Sequence, residues 1–477
     1  MTRPRFYPNY HLKVNHAATV FICVALLWKL WALPRDFPFP FSYINIVGLN
    51  KISFGIIVLF ILNKVIKNES LALPFPQLKW LLLFFVGIVV SFLYNSNDLG
   101  ASQLFFLGEN DGMLTFKDTI NGIGFYVIFL YFFRYKNILD TFFWISTLVA
   151  FFFYIALLGG FINELVGLFG NISPEQLKYS EVGYNIIRVS FPTMDDNTFG
   201  PIASILLVIA IYQYLTLPIQ QKYYRIFLIV FFILTAGVIL NTLSRSSIIL
   251  VIIQVGIFGA TSSKHKLKPI LLAVVGFLVV WQLISLRIIP GADVAYALSG
   301  RFSEIVDNIP LYKIAVEEGV YISQDNYFSR IMLAFSTLPT DIHGWIFGTG
   351  GVYTTYSIPN NLTNLGIFAS QSHIDLTNWI NQWGLITVIP LLIYLFSMIF
   401  YLFKWDKSHL RHDLTTTEIK SLFYLKNLGL SLLFGILVMW LNSPLFFLIW
   451  LIPGISASII VCLKSFEIPQ VIRGDET

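Results

Sequence analysis

The stretch RIFLIVFFILTAGVILNTLSRSSIILVIIQVGIFGA, residues 225–260, consists of two long apolar runs separated by a short polar turn. Each run is long enough to cross a lipid bilayer as an α-helix, which needs about 17–25 mostly apolar residues. We therefore expect membrane helices at 224–242 and 244–262, and the short turn predicts a tight antiparallel pair. Arg245 is the single charged residue between Arg225 and Lys264, and its position requires an explanation.

The composition of the whole chain also indicates a membrane protein. Of its 477 residues, 56% are hydrophobic and 12% are charged, whereas a soluble domain carries roughly 25% charged residues. We expect an all-α polytopic protein with a single integral membrane domain over residues 1–477, because helices satisfy their own backbone hydrogen bonds in lipid. The formal charge of +5 is too small for a nucleic-acid-binding surface, and no nucleic-acid partner is expected.

The apolar runs predict about twelve spans. They lie at 17–33, 42–63, 78–94, 118–134, 139–158, 197–216, 224–242, 244–262, 267–288, 377–403, 421–440 and 444–463.

Lysine and arginine residues predict the orientation of these spans. Basic residues occur in the N-terminal segment, in every second connection and in the C-terminal tail, so both termini are expected in the cytoplasm. The other connections then face outward. They include an outer loop at 159–196 and a large outer loop at 289–376, where the segment RFSEIVDNIPLYKIAVEEG (301–319) has the apolar spacing of short helices. Long ordered connections are usually functional.

This topology places Arg245 on the outer side, where the positive-inside rule disfavours it. A guanidinium group suits phosphate and carboxylate oxygens, and the free N–H groups at the start of a helix also favour an anion. The alternative is that Arg245 snorkels to the membrane interface or pairs with a carboxylate such as Asp195. Other arginines predicted on this side are Arg188, Arg287, Arg301 and Arg330.

His373 precedes the predicted span 377–403 in QSHIDLTNWINQWGLI, residues 371–386. An imidazole at the mouth of a span can take a proton from a hydroxyl group near neutral pH. The alternative is an interfacial histidine held by hydrogen bonds. Further side chains able to support a site here are Ser244, Ser246, Asn197, Asp195, Tyr327 and Asn378.

Several kinds of chemistry have no signature in the chain. It contains no H-E-x-x-H, no D-x-D and no Cys/His cluster, so no metal is expected. It also lacks a Walker loop and a G-x-S-x-G elbow, which argues against ATP use and a serine nucleophile. Outward arginines and a histidine instead fit transfer from a lipid diphosphate, whose leaving group gains charge that arginines stabilise.

Four stretches together resemble one known family. They are RVSFPTMDDNTFGPIAS (188–204), TLSRSSIILVII (242–253), SRIMLAFSTLPTDIHGWIFGTGG (329–351) and SHIDLTNWINQWGLITVIPLLIYL (372–395). The family is the O-antigen polymerase and O-antigen ligase superfamily of bacterial envelope glycosyltransferases.

This resemblance implies a fold related to the C-type glycosyltransferases. It implies cofactor-free and metal-independent polymerisation of undecaprenyl-diphosphate-linked repeat units, which are both donor and acceptor, at the outer face of the bacterial inner membrane. Arg188, Arg245 and Arg330 would bind the diphosphate, and His373 would activate the acceptor hydroxyl. A chain-length regulator and a flippase of the same pathway would be partners.

Two other functions remain open from the sequence. An O-antigen ligase would use the same chemistry to move the glycan to lipid A core or to protein. A flippase or transporter for lipid-linked glycans would be expected to have paired halves, broken helices and charges near the bilayer midplane.

Overall fold

The computed structural model describes parts of the chain between residues 78 and 467. The described residues are 78–95, 126, 130, 133, 135–158, 181–182, 186–187, 196–242, 245–261, 338–339, 341–350, 375–406, 408, 410–440 and 448–467. The predicted spans 17–33, 42–63 and 267–288, the predicted helical segment 301–319 and nearly all of span 118–134 lie outside them.

Within these ranges the structure is almost entirely helical. The helices are α1 (Leu78–Asn95), α2 (Lys136–Leu158), α3 (Asp196–Thr216), α4 (Lys222–Asn241), α5 (Arg245–Ala260), α6 (Ile342–Phe347), α7 (Asp375–Trp383), α8 (Leu385–Lys404), α9 (Thr416–Trp440) and α10 (Leu448–Lys464). Two short strands, β1 (Glu181–Val182) and β2 (Ile186–Ile187), pair antiparallel within the predicted outer loop 159–196.

Five of the described helices are long and apolar enough to cross a membrane. The corresponding segments are Lys136–Leu158, Phe199–Thr216, Lys222–Leu240, Leu385–Lys404 and Thr416–Met439. The outer helices also expose large apolar side chains: Phe396, Phe400 and Phe403 of α8 are each more than half exposed. Because a continuous apolar surface of this kind suits lipid rather than water, the helices have the character expected of a polytopic membrane protein.

Helices α3 and α9 occupy the centre of the bundle. In the apolar stretches of these helices, 89% of the residues of α3 and 78% of those of α9 are buried. The corresponding shares are 44% for α2 and 50% for both α4 and α8. A helix that is apolar on all sides is suited to such a position. Helix α9 packs against α3, α5 and α10, while α1 packs along α8.

The two apolar runs at 225–260 form α4 and α5, as predicted, but the prediction that they pair tightly is wrong. Each packs along α3, and they touch one another only slightly. Gly200 of α3 allows the packing of α5, because its lack of a side chain lets Ser247 of α5 approach the α3 backbone closely. The positions of α4 and α5 are therefore set by their packing on α3 more than by the short turn that joins them.

The prediction of one continuous span over 377–403 is also wrong. Helix α7 ends at Trp383 and α8 begins at Leu385, with Gly384 between them in a conformation with φ +71°. A right-handed helix cannot continue through a residue with a positive φ. The span is therefore divided into a short polar helix and a long apolar one.

The helix ends gather in two groups. We call the first the cavity end, which is marked by Lys136, Thr216, Lys404, Thr416 and Lys464. We call the second the glycine end, which is marked by Asn95, Gly200, Arg245, Gly348 and Gly384. The basic residues predict the first group as cytoplasmic and the second as outward. Among the described lysines and arginines, Arg245 is the one that lies at the glycine end.

Candidate functional site

The predicted site residues fall into two sets. The structure describes Asn378 fully, and it places Asn197 in the first turn of α3 and Arg245 and Ser246 in the first turn of α5, without describing these three side chains. The remaining predicted site residues lie outside the described ranges, so their roles stay predictions. They are Arg188, Arg330, His373, Asp195, Ser244 and Tyr327.

Helices α3 and α5 meet near their N-terminal ends, next to Arg245. A β-carbon on Gly200 would lie 2.9 Å from Cβ of Ser247 and 3.1 Å from Oγ1 of Thr242. One turn further along α3, the Ser204 hydroxyl donates a hydrogen bond of 3.1 Å to the carbonyl oxygen of Ser247. The stretches 188–204 and 242–253 are therefore in direct contact, and α3 fixes the start of the helix that Arg245 begins.

The predicted outer loop 289–376 supplies the described segment 341–350 to the same end. Asp341 caps α6 by accepting a 3.1 Å hydrogen bond from the backbone nitrogen of Gly344. The chain then turns through Gly348 and Gly350, which have φ values of +66° and +73°. The backbone nitrogen of Thr349 next donates to the carbonyl oxygen of Asn381 at 2.7 Å. This hydrogen bond joins the stretch 329–351 to the stretch 372–395.

The end of α1 holds the segment 341–350 from a second direction. The rings of Tyr94 and Phe347 are stacked with centroids 4.2 Å apart, and the Tyr94 hydroxyl lies 3.3 Å from Nδ1 of His343. The Ser91 hydroxyl donates a hydrogen bond to the carbonyl oxygen of Phe347. An aromatic cluster with an exposed histidine therefore borders the glycine end.

Helix α7 places polar side chains inside the bundle. Thr377, Asn378, Asn381 and Gln382 are all buried, and Nδ2 of Asn381 has no hydrogen-bond partner among the described residues. Buried amides without partners are costly, and a buried polar atom left unpaired within a protein is a candidate for contact with a ligand. Helix α9 contacts both α5 and α7. It is therefore bordered both by the contacting stretches 188–204 and 242–253 and by the contacting stretches 329–351 and 372–395.

A second polar site lies at the opposite end of the bundle. A cavity of about 640 Å³ is lined by the start of α2, the end of α3, the turn 411–414 and the start of α9. Nζ of Lys136 lies 2.5 Å from Oδ2 of Asp140, and the Tyr212 hydroxyl donates to the other Asp140 oxygen at 2.8 Å. This site was not predicted from the sequence, although the i, i+4 spacing of Lys136 and Asp140 is a usable signal.

The turn 411–414 closes one side of this cavity. Arg411 forms a two-pronged ion pair with Asp413, and these hydrogen bonds hold the pKa of the Asp413 carboxyl below its usual value. Glu418 caps α9 by accepting a 2.8 Å hydrogen bond from the backbone nitrogen of Thr415. The charged groups that border the cavity therefore largely pair with neighbouring protein groups.

Comparison of the chain with models of protein families, with curated proteins and with solved structures gives no match. In the described part of the chain, no three histidine, cysteine, aspartate or glutamate residues come together as a possible metal site.

Proposed function

We propose that this protein polymerises undecaprenyl-diphosphate-linked repeat units into O-antigen or a related surface polysaccharide. The proposed enzyme has about twelve spans in the bacterial cytoplasmic membrane, cytoplasmic termini and a fold related to the C-type glycosyltransferases. Its glycine end faces the periplasm and its cavity end the cytoplasm. The basic residues in alternate connections support this orientation.

One observation carries the proposal: the four stretches that resemble the family meet in two pairs at one end of the bundle. Gly200 contacts Ser247 in the first pair, and Gly348 packs against the backbone of Trp383 in the second. Both pairs border α9. An active site assembled from several spans requires distant parts of the sequence to converge in this way.

The proposed chemistry uses the position of Arg245. Its guanidinium and the free N–H groups of the first turn of α5 both favour an anion, and we assign them to the diphosphate together with Arg188 and Arg330. The acceptor hydroxyl oxygen forms the new bond to the sugar, and the lipid diphosphate leaves with the electron pair of the broken bond. His373 takes the hydroxyl proton, and the arginines stabilise the charge that develops on the leaving group. The proposed reaction uses no metal ion or cofactor.

Product analysis distinguishes a polymerase from a ligase. The purified full-length protein is incubated with a lipid-linked repeat unit, with and without a chelator, and the products are separated by size. A ladder of extended glycans that is insensitive to the chelator is the expected result. Transfer that occurs only after lipid A core or an acceptor protein is added would identify a ligase, and the absence of both products would contradict the enzyme proposal.

A transporter of lipid-linked glycans is the second candidate, because the interruption at Gly384 resembles the discontinuous helices of transporters. Helix α8 alone has 20 residues. At 1.5 Å per residue this is about 30 Å, enough to cross the hydrocarbon core. The interruption therefore adjoins a complete span, which favours the enzyme. Movement of a fluorescent lipid-linked glycan across liposomes without change in glycan length would favour the transporter.

A further inference from the structure

The cavity at Lys136, Asp140, Tyr212 and Gln213 has no part in the proposed glycosyl transfer, because it lies at the opposite end of the bundle from Arg245 and Gly384. Its volume of about 640 Å³ falls in the usual range of ligand pockets, roughly 300–1,000 Å³. We propose that it binds the headgroup of phosphatidylethanolamine from the adjacent membrane leaflet.

The charges around the cavity suit a zwitterionic group that carries an ammonium. The described lining contains two cations, Lys136 and Arg411, and three carboxylates, Asp140, Asp413 and Glu418. Lys136 already pairs with Asp140 and Arg411 with Asp413, but both cations keep further N–H donors for a phosphate. The carboxylate oxygens keep lone pairs for the three N–H donors of an ammonium. A phosphatidylglycerol headgroup lacks the ammonium, and the quaternary amine of phosphatidylcholine has no N–H to donate.

Gln213 provides a buried polar group for the phosphate. Its side chain is only 2% exposed, and its Oε1 accepts a 2.8 Å hydrogen bond from the Thr147 hydroxyl. The other end of the amide, Nε2, has no hydrogen-bond partner among the described residues. A buried donor of this kind is costly until it finds an acceptor, and a phosphate oxygen is a strong one.

The surface next to the cavity indicates a lipid rather than a soluble ligand. Lys136, Asp140 and Trp144 line the cavity along one i, i+4 ridge of α2. The same ridge continues through Leu148 and Phe152, which are 47% and 59% exposed on the apolar surface of the bundle. A phospholipid whose headgroup occupies the cavity can lay an acyl chain along this ridge. Trp144 then lies at the boundary between the polar and apolar parts, where tryptophan is enriched in membrane proteins.

Lipid titration followed by native mass spectrometry tests the proposal. The purified full-length protein is titrated with phosphatidylethanolamine, phosphatidylcholine and phosphatidylglycerol that carry identical acyl chains. We expect the first lipid to bind most tightly. Equal affinity for the three lipids, or preference for either of the others, would overturn the proposal without any bearing on glycan polymerisation.

Two variants locate the lipid in the cavity. Gln213→Leu removes the amide, and Asp140→Asn removes a carboxylate partner of the ammonium. Each is expected to lower the affinity for phosphatidylethanolamine roughly tenfold, as the loss of one hydrogen bond to a charged group predicts. Gln254→Leu is the matched control, since Gln254 is a buried glutamine of α5 away from the cavity. Unchanged affinity for phosphatidylethanolamine in both test variants would exclude this cavity as the lipid site. If Gln213→Leu does not fold, the affinity of Asp140→Asn alone decides the question.

Discussion

A β-carbon on Gly384 would lie 2.6 Å from the backbone nitrogen of Phe347, and closer still to the carbonyl oxygen of Ile346. The lack of a side chain at Gly384 therefore allows the segment 341–350 to lie directly on the junction of α7 and α8. The same glycine has a φ of +71°, which interrupts the helix. One residue thus serves both the helix break and the docking of the outer-loop segment.

The first prediction concerns this contact. Gly384→Ala is expected to destabilise the protein by more than the roughly 1–3 kcal/mol that a sparsely populated backbone conformation with positive φ costs a residue with a side chain, because a steric clash is added. Thermal unfolding of the detergent-solubilised protein measures the effect. Gly256→Ala is the control, since a β-carbon there meets no atom within 4 Å. Gly256 lies within α5, where alanine favours the helix by about 1 kcal/mol over glycine. Equal destabilisation of the two variants would therefore contradict the contact between Gly384 and the segment 341–350.

The second prediction concerns the packing of α3 on α5. Gly200→Ala is expected to destabilise the protein by about 1–3 kcal/mol, the usual cost of overpacking. Ser247→Ala removes the hydroxyl nearest to the added methyl group, so the double variant should recover part of the lost stability. A double-mutant cycle of unfolding temperatures measures the coupling. Strictly additive effects would mean that the two residues do not meet.

The third prediction tests the proposed catalytic roles. Arg245→Ala and His373→Ala are each expected to lower the rate of glycan extension by about 10²–10³, the usual effect of removing a group that acts on the transition state. Arg245→Lys should retain partial activity, because it keeps the charge but loses the planar fork of donors. Extension of a lipid-linked repeat by purified protein is the measurement.

The controls for this experiment come from the cavity end. Arg225→Ala and His412→Ala remove the same residue types, and both variants should extend glycans at the wild-type rate. Arg225 donates a 3.0 Å hydrogen bond to the carbonyl oxygen of Leu217, and His412 is exposed. Normal membrane insertion of all variants must be shown by their yield and unfolding temperature. Wild-type extension by the Arg245 and His373 variants would refute their assigned roles.

The fourth prediction concerns the polar cluster at the cavity end. Tyr212→Phe removes the 2.8 Å hydrogen bond to Asp140 and should destabilise the protein by about 1.5–3 kcal/mol, the range for a hydrogen bond to a charged group. Tyr214→Phe is the matched control on the same helix. It keeps the ring that lies 5.0 Å from the guanidinium carbon of Arg225. Thermal unfolding should separate the two variants, and equal stabilities would contradict a stabilising role for this hydrogen bond.

The fifth prediction tests the orientation of the bundle. In a variant that lacks Cys23 and Cys462, single cysteines are introduced as His343→Cys at the glycine end and Ser408→Cys beyond α8. Both positions are exposed. A membrane-impermeant maleimide is expected to label position 343 in spheroplasts and position 408 only after permeabilisation. The reverse pattern would place the proposed site on the cytoplasmic side.

The sequence alone determines where several of the helices lie, because span length and apolar composition are local properties of the chain. The predicted spans 78–94, 197–216, 224–242 and 244–262 correspond to the observed helices Leu78–Asn95, Asp196–Thr216, Lys222–Asn241 and Arg245–Ala260. The alternation of basic connections also groups these helix ends as the structure does. Within the candidate site, the sequence places Arg245 at the start of a helix, since a polar turn ends one apolar run and begins the next.

Only the tertiary structure decides which elements touch. The docking of α5 on α3 depends on Gly200 meeting Ser247, and the docking of the segment 341–350 on the junction of α7 and α8 depends on Gly384. The cavity likewise joins Asp140 of α2 to Tyr212 of α3. These relationships depend on shape and hydrogen bonding between residues far apart in the chain, whereas hydrophobicity and charge along the sequence report only where each segment lies relative to the membrane.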